Sequence, residues 1–289
     1  MFKIAILGCE NSHANEFLSH VIMDKIVDDI EFVGVYSDDR EAAQNLHEEF
    51  GVPVADSYDQ FVGQVDGIMI TARHGDNHYK YAKPYLASGI PMFIDKPITC
   101  TEEYAKNFMA DLKENNVRVC GGSSVVLYNY IQELKKTIQE GAYGKIYGGF
   151  LRGPVNMVNP YGNFLFYCQH LVQVMTELFG KYPKSVKAFP NKETITCVVR
   201  YDDYDITIAF QDGNYLYYAG VSFEKEYVGS SYSDSTYDKE FMEFHKLLQV
   251  IPRRPVTKTS SLPCTSTMQL SAPWSAVKRS RSFTSNTIF

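Results

Sequence analysis

The chain has no Cys-x-x-Cys pair, no apolar run near the roughly 20 residues a membrane span needs, and no acid after Pro252. Its six cysteines (Cys9, Cys100, Cys120, Cys168, Cys197, Cys264) are scattered over 289 residues. That pattern reads as reduced thiols and excludes a disulfide framework and a Cys-rich zinc site. No metal is expected. The start, Met1-Phe2-Lys3 followed by Ile4 to Leu7, is too short for the apolar core of a secretion signal, and Glu10-Asn11 ends it. A cytoplasmic protein with no membrane partner is the expectation. The net charge is −6, yet the last segment carries only bases (Arg253, Arg254, Lys258, Lys278, Arg279, Arg281). The preceding body is therefore more acidic than the total, which argues against nucleic acid as a partner.

What is there divides into three stretches. Residues 1–121 alternate strand and helix patterns. Phe2–Leu7, Ile30–Tyr36, Asp66–Thr71, Pro91–Ile94 and Val117–Cys120 read as strands. Helical spacing follows each of the first four, with Arg40–Phe50 stopped at Gly51 and Tyr79–Ser88 closed by Gly89. Thr99-x-x-Glu102 has the form of a capping box opening the next helix. Such alternation predicts a doubly wound parallel sheet.

Residues 122–251 change pattern. Tyr128–Glu140 and Phe164–Phe179 read as helices, Ile146–Leu151 as a strand. Ser185–Phe189, Ile195–Tyr201, Ile206–Phe210 and Asn214–Phe223 read as consecutive antiparallel strands. The expected architecture is thus α/β: a Rossmann-type domain, then an α+β domain with an open, largely antiparallel sheet. Tyr215, Tyr217, Tyr218, Tyr227, Tyr232 and Tyr237 suggest an aromatic sheet face that pairs two copies of the chain in a homodimer or homotetramer. Residues 252–289 are Ser/Thr-rich and basic. They read either as a loosely draped tail or as a frame or cloning artefact in place of a natural C-terminus.

Chemistry is expected at the strand ends. Gly8-Cys9-Glu10-Asn11-Ser12-His13 joins the first strand to the first helix, where a dinucleotide pyrophosphate sits. Only one glycine of the usual G-x-G-x-x-G remains, and Ser12 is the expected helix cap. After the second strand, Asp38 suits the ribose hydroxyl of NAD, while Ser37 with Arg40 suits the extra phosphate of NADP. Both cofactors stay open. Thr71-Ala72-Arg73-His74 and His78 follow the third strand and are expected to line the cofactor site. His74 and His78 have metal-capable spacing but no third ligand in sight. Asp95-Lys96-Pro97 follows the fourth strand. A lysine there, steadied by Asp95, can donate to a substrate oxygen, and Pro97 fixes the backbone.

Three further segments join these. Asp66–Ala72, His78 and Ala87-Ser-Gly-Ile-Pro-Met-Phe-Ile-Asp95-Lys96-Pro97 form the first. Glu140-Gly-Ala-Tyr-Gly-Lys-Ile146 is the second. Phe166-Tyr167-Cys168-Gln169-His170 running to Gly180 is the third. Together they resemble the glucose–fructose oxidoreductase / inositol dehydrogenase / MocA (Gfo/Idh/MocA) family from Phe2 to about residue 250. The resemblance implies NAD(P) binding and hydride transfer at a carbinol carbon of a sugar or polyol. It carries Lys96 over as the substrate-contacting lysine and His170 as the acid/base histidine. Tyr167 is carried as a third catalytic candidate. Departures are Asp95 for the family's glutamate, and Phe166 and Gln173 where acids often flank the histidine. They motivate an alternative: a cofactor- or sugar-sensing protein that kept the fold and lost the reaction.

Overall fold

The computed structural model describes residues 1–250. The tail expected at 252–289 lies outside the described residues. Two compact units are present. Among the described residues the first holds Met1–Leu127, Met157–Gln169 and 235–250; the second holds Tyr128–Asn156 and His170–Asp234. The units therefore interleave along the chain, whereas the sequence reading makes a single cut at 121/122.

In the first unit, β1 (Phe2–Leu7), β2 (Ile30–Tyr36), β3 (Gly67–Ile70), β4 (Met92–Asp95) and β5 (Val119–Gly122) form one parallel sheet in the order β2-β1-β3-β4-β5. The strands are short continuous apolar runs because both faces are covered. Period-two alternation divides them. Ala5, Leu7, Ile68, Ile70, Met92 and Ile94 face one core, with α3 (Gly75–Ala82) and α4 (Glu102–Glu114) supplying Tyr79, Tyr81, Phe108 and Leu112. Ile4, Ile6, Met69 and Phe93 face the other, with α1 (Ser12–Leu18) and α2 (Arg40–Phe50) supplying Phe17, Leu18 and Leu46.

That second core is completed by a helix for which the sequence reading assigns no element. Tyr237–Gln249 (here α7, the last in chain order) places Phe241, Phe244 and Leu248 against it, all fully buried. Each such side chain contributes about 1.5–3 kcal/mol by leaving water. Gly67 makes room for them: a Cβ there would stand 2.8 Å from Leu248 and 2.9 Å from Phe244.

Two caps differ from expectation. Asn11, not Ser12, caps α1, its side chain accepting from the His13 N–H. Asn11 has the extended backbone a cap requires, while Ser12 is already the first helical residue. Thr101, not Thr99, caps α4 by accepting from the Tyr104 N–H. The Thr99 hydroxyl instead donates to the Thr101 carbonyl.

In the second unit, β6 (Ile146–Val155), β7 (Ser185–Pro190), β8 (Thr194–Arg200), β9 (Asp205–Asp212), β10 (Tyr217–Phe223) and β11 (Tyr227–Tyr232) form a sheet in the order β11-β10-β6-β9-β8-β7. The run from β7 to β10 alternates in direction as expected, but β9 and β10 are not neighbours. β6 lies between β9 and β10 and pairs parallel to β9. One face carries α5 (Asn129–Glu140) and α6 (Leu165–Phe179), joined by the Lys135–Glu177 ion pair. Gly149 and Gly153 of β6 accept Phe179 and Leu171 of α6 closely, with no Cβ in the way. Of the tyrosines read as a sheet face, Tyr227 is largely exposed, Tyr232 is buried and Tyr237 belongs to α7.

Candidate active site

The order β2-β1-β3 puts a topological switch point between β1 and β3, where doubly wound sheets open a crevice at the carboxyl ends of their strands. The segments singled out in sequence leave the sheet at that edge. Gly8 turns the chain there with φ +80°, and a Cβ on it would stand 2.5 Å from Ala72. Hydrogen bonds bind the two loops together. The Thr71 hydroxyl donates to the Gly8 carbonyl (2.6 Å), and the Asn11 amide donates to the Thr71 carbonyl (2.6 Å). Glu10 spans three loops: one oxygen accepts from the Ser37 hydroxyl (2.7 Å), the other from the Arg73 N–H (2.9 Å). Cys9 is buried, which pushes its thiol up to about 12 and makes it inert packing. Ser12 is exposed on the first turn of α1.

At the end of β2, Ser37 is fully buried and Asp38 is half exposed. The Asp38 carboxylate accepts from Tyr36 (2.6 Å), Tyr81 (2.8 Å) and Lys80 (3.1 Å). Burial pulls its pKa up, but these three donors outweigh that and hold it below the usual carboxylate range. The Arg40 guanidinium donates to the Ala55 carbonyl at 2.6 Å.

At the end of β4, Asp95 and Lys96 are both buried and the Lys96–Pro97 peptide is cis. Asp95 Oδ1 accepts from the Lys96 N–H, and Oδ2 lies 2.6 Å from His13 Nδ1. Burial raises the Asp95 pKa, yet His13, Lys96 and His78 together bring it below the usual value. Lys96 shows the opposite balance: burial lowers it most, while Asp95 and Glu240 oppose that. Its Nζ lies 4.7 Å from the Phe166 ring centre and 5.3 Å from that of Tyr167. The Arg73 guanidinium covers Tyr161 at 4.5 Å.

His78 is fully buried. Its Nε2 meets the Ala72 carbonyl (2.7 Å) and its Nδ1 the Ile98 carbonyl (3.3 Å), so it braces the β3 loop against the Asp95-Lys96-Pro97 segment. His74 finds neighbours absent from the sequence reading. Ligand atoms of His74, Asp76 and Cys100 lie within 4.8 Å of one another. The contacts there serve the backbone: His74 Nδ1 accepts from the Asp76 N–H, and Asp76 accepts from the Cys100 N–H. In the second unit, His170 is buried on α6 with its ring edge-on to Tyr217.

Two participants were not foreseen in sequence. Tyr237 sets its ring 4.9 Å from that of His13. Glu240, one turn later on α7, is buried, and burial raises its carboxyl well above the ordinary value, Asp95 adding to this and Lys96 opposing it. The signal is an acid on an apolar stripe: Tyr237, Glu240, Phe241, Phe244 and Leu248 share one helix face.

Residues 2–123 match the model of the oxidoreductase family with an NAD-binding Rossmann fold, GFO_IDH_MocA. An uncharacterized oxidoreductase of Streptococcus pneumoniae is 27% identical to the chain over 110 residues, 37% of this chain and 30% of that relative's length. The likeness in fold extends further in solved structures. Myo-inositol 2-dehydrogenase of Lactobacillus plantarum superposes with a TM-score of 0.73 at 14% identity, covering 86% of this chain and 88% of its own. The WlbA dehydrogenase of Bordetella pertussis, solved with NADH and UDP-GlcNAcA, gives 0.68 at 18% identity, covering 80% and 78%. The chain thus has the α/β fold expected from sequence: a Rossmann sheet with a second, largely antiparallel sheet. The matching family model is described as NAD-binding, and the WlbA structure holds NADH.

The residues present fit a nicotinamide dinucleotide. The tight Gly8 turn lies at the switch point, and an ionised, half-exposed carboxylate stands at the end of β2. Gly8 to His13, Ser37, Asp38 and Thr71 to Arg73 are the groups that would hold it.

Proposed function

We propose that the chain is an NAD(P)-dependent oxidoreductase acting on a CH–OH group of a sugar, polyol or related hydroxy compound. The observation carrying this reading is Lys96: a buried amino group at the carboxyl end of a Rossmann strand, its Nζ set against two aromatic rings. A bound nicotinamide supplies the hydride acceptor or donor that no side chain provides. Lys96 holds and polarises the reacting oxygen, and Asp95 steadies the ammonium. His170 takes the hydroxyl proton in oxidation and returns it in reduction. Tyr167 is the remaining candidate for a proton donor.

NAD is the better-suited cofactor. Asp38 is ionised, Glu10 adds a second carboxylate through Ser37, and Arg40 is engaged by the Ala55 carbonyl. An added 2′-phosphate would meet two negative groups there. The chain works in the cytoplasm on a small molecule, and copies pair through the second sheet. Neither nucleic acid nor membrane enters this reading; among the described residues no helix is long and apolar enough to cross a membrane.

The test is a pair of variants. Lys96→Ala and His170→Ala should each lower turnover by orders of magnitude and leave cofactor affinity nearly unchanged; unaltered turnover in either ends its assignment. Phe166, a ring where the family often has an acid, favours a second reading. In that reading the protein binds cofactor and senses a sugar without turnover. Cofactor binding with no reaction on any polyol or sugar would select it.

A further inference from the structure

The loops around the start of α3 hold a group of side chains that the proposed chemistry does not use. Three segments meet there: His74-Gly75-Asp76 after β3, Cys100 before α4, and Tyr161-Gly162. Two glycines let the backbone close in. A Cβ on Gly75 would stand 2.6 Å from the Pro97 carbonyl oxygen and 3.0 Å from Thr99. A Cβ on Gly162, at φ +118°, would stand 2.7 Å from Cys100 Sγ. The sulfur lies 3.9 Å from His74 Nδ1, and ligand atoms of His74, Asp76 and Cys100 fall within 4.8 Å of one another. All three residues are partly buried.

Ligand atoms around one tetrahedral zinc ion stand about 3.3–3.7 Å apart. The cluster is within a small side-chain adjustment of that geometry, and its hydrogen bonds leave it capacity to coordinate. His74 Nδ1 accepts from the Asp76 N–H at 3.3 Å, a long bond. Asp76 uses Oδ1 on the Cys100 N–H, while Oδ2 has no hydrogen-bond partner among the described residues. The Cys100 thiol donates to the Tyr161 carbonyl at 3.4 Å. His78, which sequence spacing sets beside His74 as a ligand, is excluded because both its ring nitrogens meet backbone carbonyls in the core.

We propose that His74, Asp76 and Cys100 form a binding site for one borderline divalent cation of the zinc class, with water in the remaining position. A thiolate, an imidazole and a carboxylate together select such an ion over magnesium or calcium, which take oxygen ligands. On binding, the Cys100 S–H bond breaks, a sulfur–metal bond forms and the proton leaves to solvent. The imidazole lone pair turns from the Asp76 N–H to the ion. The ion then ties the β3 loop to the Cys100 and Tyr161 segments, a clasp on the loop whose Tyr161 ring lies under the Arg73 guanidinium.

The experiment uses the full chain, freed of metal and kept reduced, with the metal alone as probe. Co2+ should give a near-ultraviolet thiolate-to-cobalt band that saturates at one equivalent, and Zn2+ should abolish it by displacement. Cys100→Ser should lack the band. His74→Asn keeps a helix-capping side chain and removes the imidazole. Asp76→Asn keeps an oxygen for the Cys100 N–H and removes the charge. Each of these two should weaken Zn2+ binding at least about tenfold. A wild type without the band, a band retained in Cys100→Ser, or an unchanged Zn2+ affinity in folded His74→Asn and Asp76→Asn overturns the proposal. Where Cys100→Ser fails to fold, the two Asn variants decide. No readout involves turnover, so the result stands apart from the oxidoreductase reading.

Discussion

Asp95 Oδ2 lies 2.6 Å from His13 Nδ1, with both side chains almost wholly buried. This contact ties the degraded glycine loop to the strand end that carries Lys96. Asp95 holds Lys96 through its own N–H, so the imidazole fixes the lysine's support from the far side.

The first prediction follows from that pair. His13→Ala leaves a buried carboxylate without its nearest partner and should cost about 3–5 kcal/mol in urea unfolding at neutral pH. Asp95 is held below the ordinary 3.8 when folded. Its ionisation therefore contributes stability above that value, and the contribution fades as pH falls through the lower folded value. The variant's deficit should shrink in acid; a deficit independent of pH would show that the pair carries no charge.

His78 gives a pH dependence in a different window. Burial lowers its pKa from 6.5, so below that value the unfolded chain binds a proton that the folded chain refuses. Stability should fall as pH drops below 6.5. Melting curves from about pH 8 to about pH 5 should show this slope in the wild type and a flatter one in His78→Gln.

Cofactor choice is measurable by titration. NAD should bind at least about tenfold more tightly than NADP, a difference of roughly 1.4 kcal/mol. Glu10→Gln with Asp38→Asn should narrow the gap. Equal affinities in the wild type would mean that the two carboxylates do not face the ribose.

Gly8→Ala tests the loop itself. The new methyl would meet the Ala72 backbone at about 2.5 Å and the residue would keep φ +80°. A loss of about 2–4 kcal/mol and of dinucleotide binding is expected.

The parallel sheet was legible in sequence because its strands are apolar runs separated by helices that end in glycine, at Gly51 and Gly89. Lys96 was legible because a strand ended beside it. Glu240 was not, since its meaning depends on α7 folding back onto β3 and β5 from more than a hundred residues away. The caps slipped for a local reason: Asn11 beside Ser12, and Thr101 beside Thr99, offer the same chemistry one or two residues apart. The β6 position between β9 and β10 was hidden because periodicity identifies strands without naming their neighbours.

The central claim is hydride transfer, and isotope transfer tests it most directly. The full chain would be incubated with NAD and a set of inositols and sugars deuterated at their carbinol carbons, and the reduced cofactor examined by mass spectrometry. The account predicts deuterium in NADH with the wild type and none with Lys96→Ala. Tight NAD binding without any labelled NADH from the whole set would contradict it.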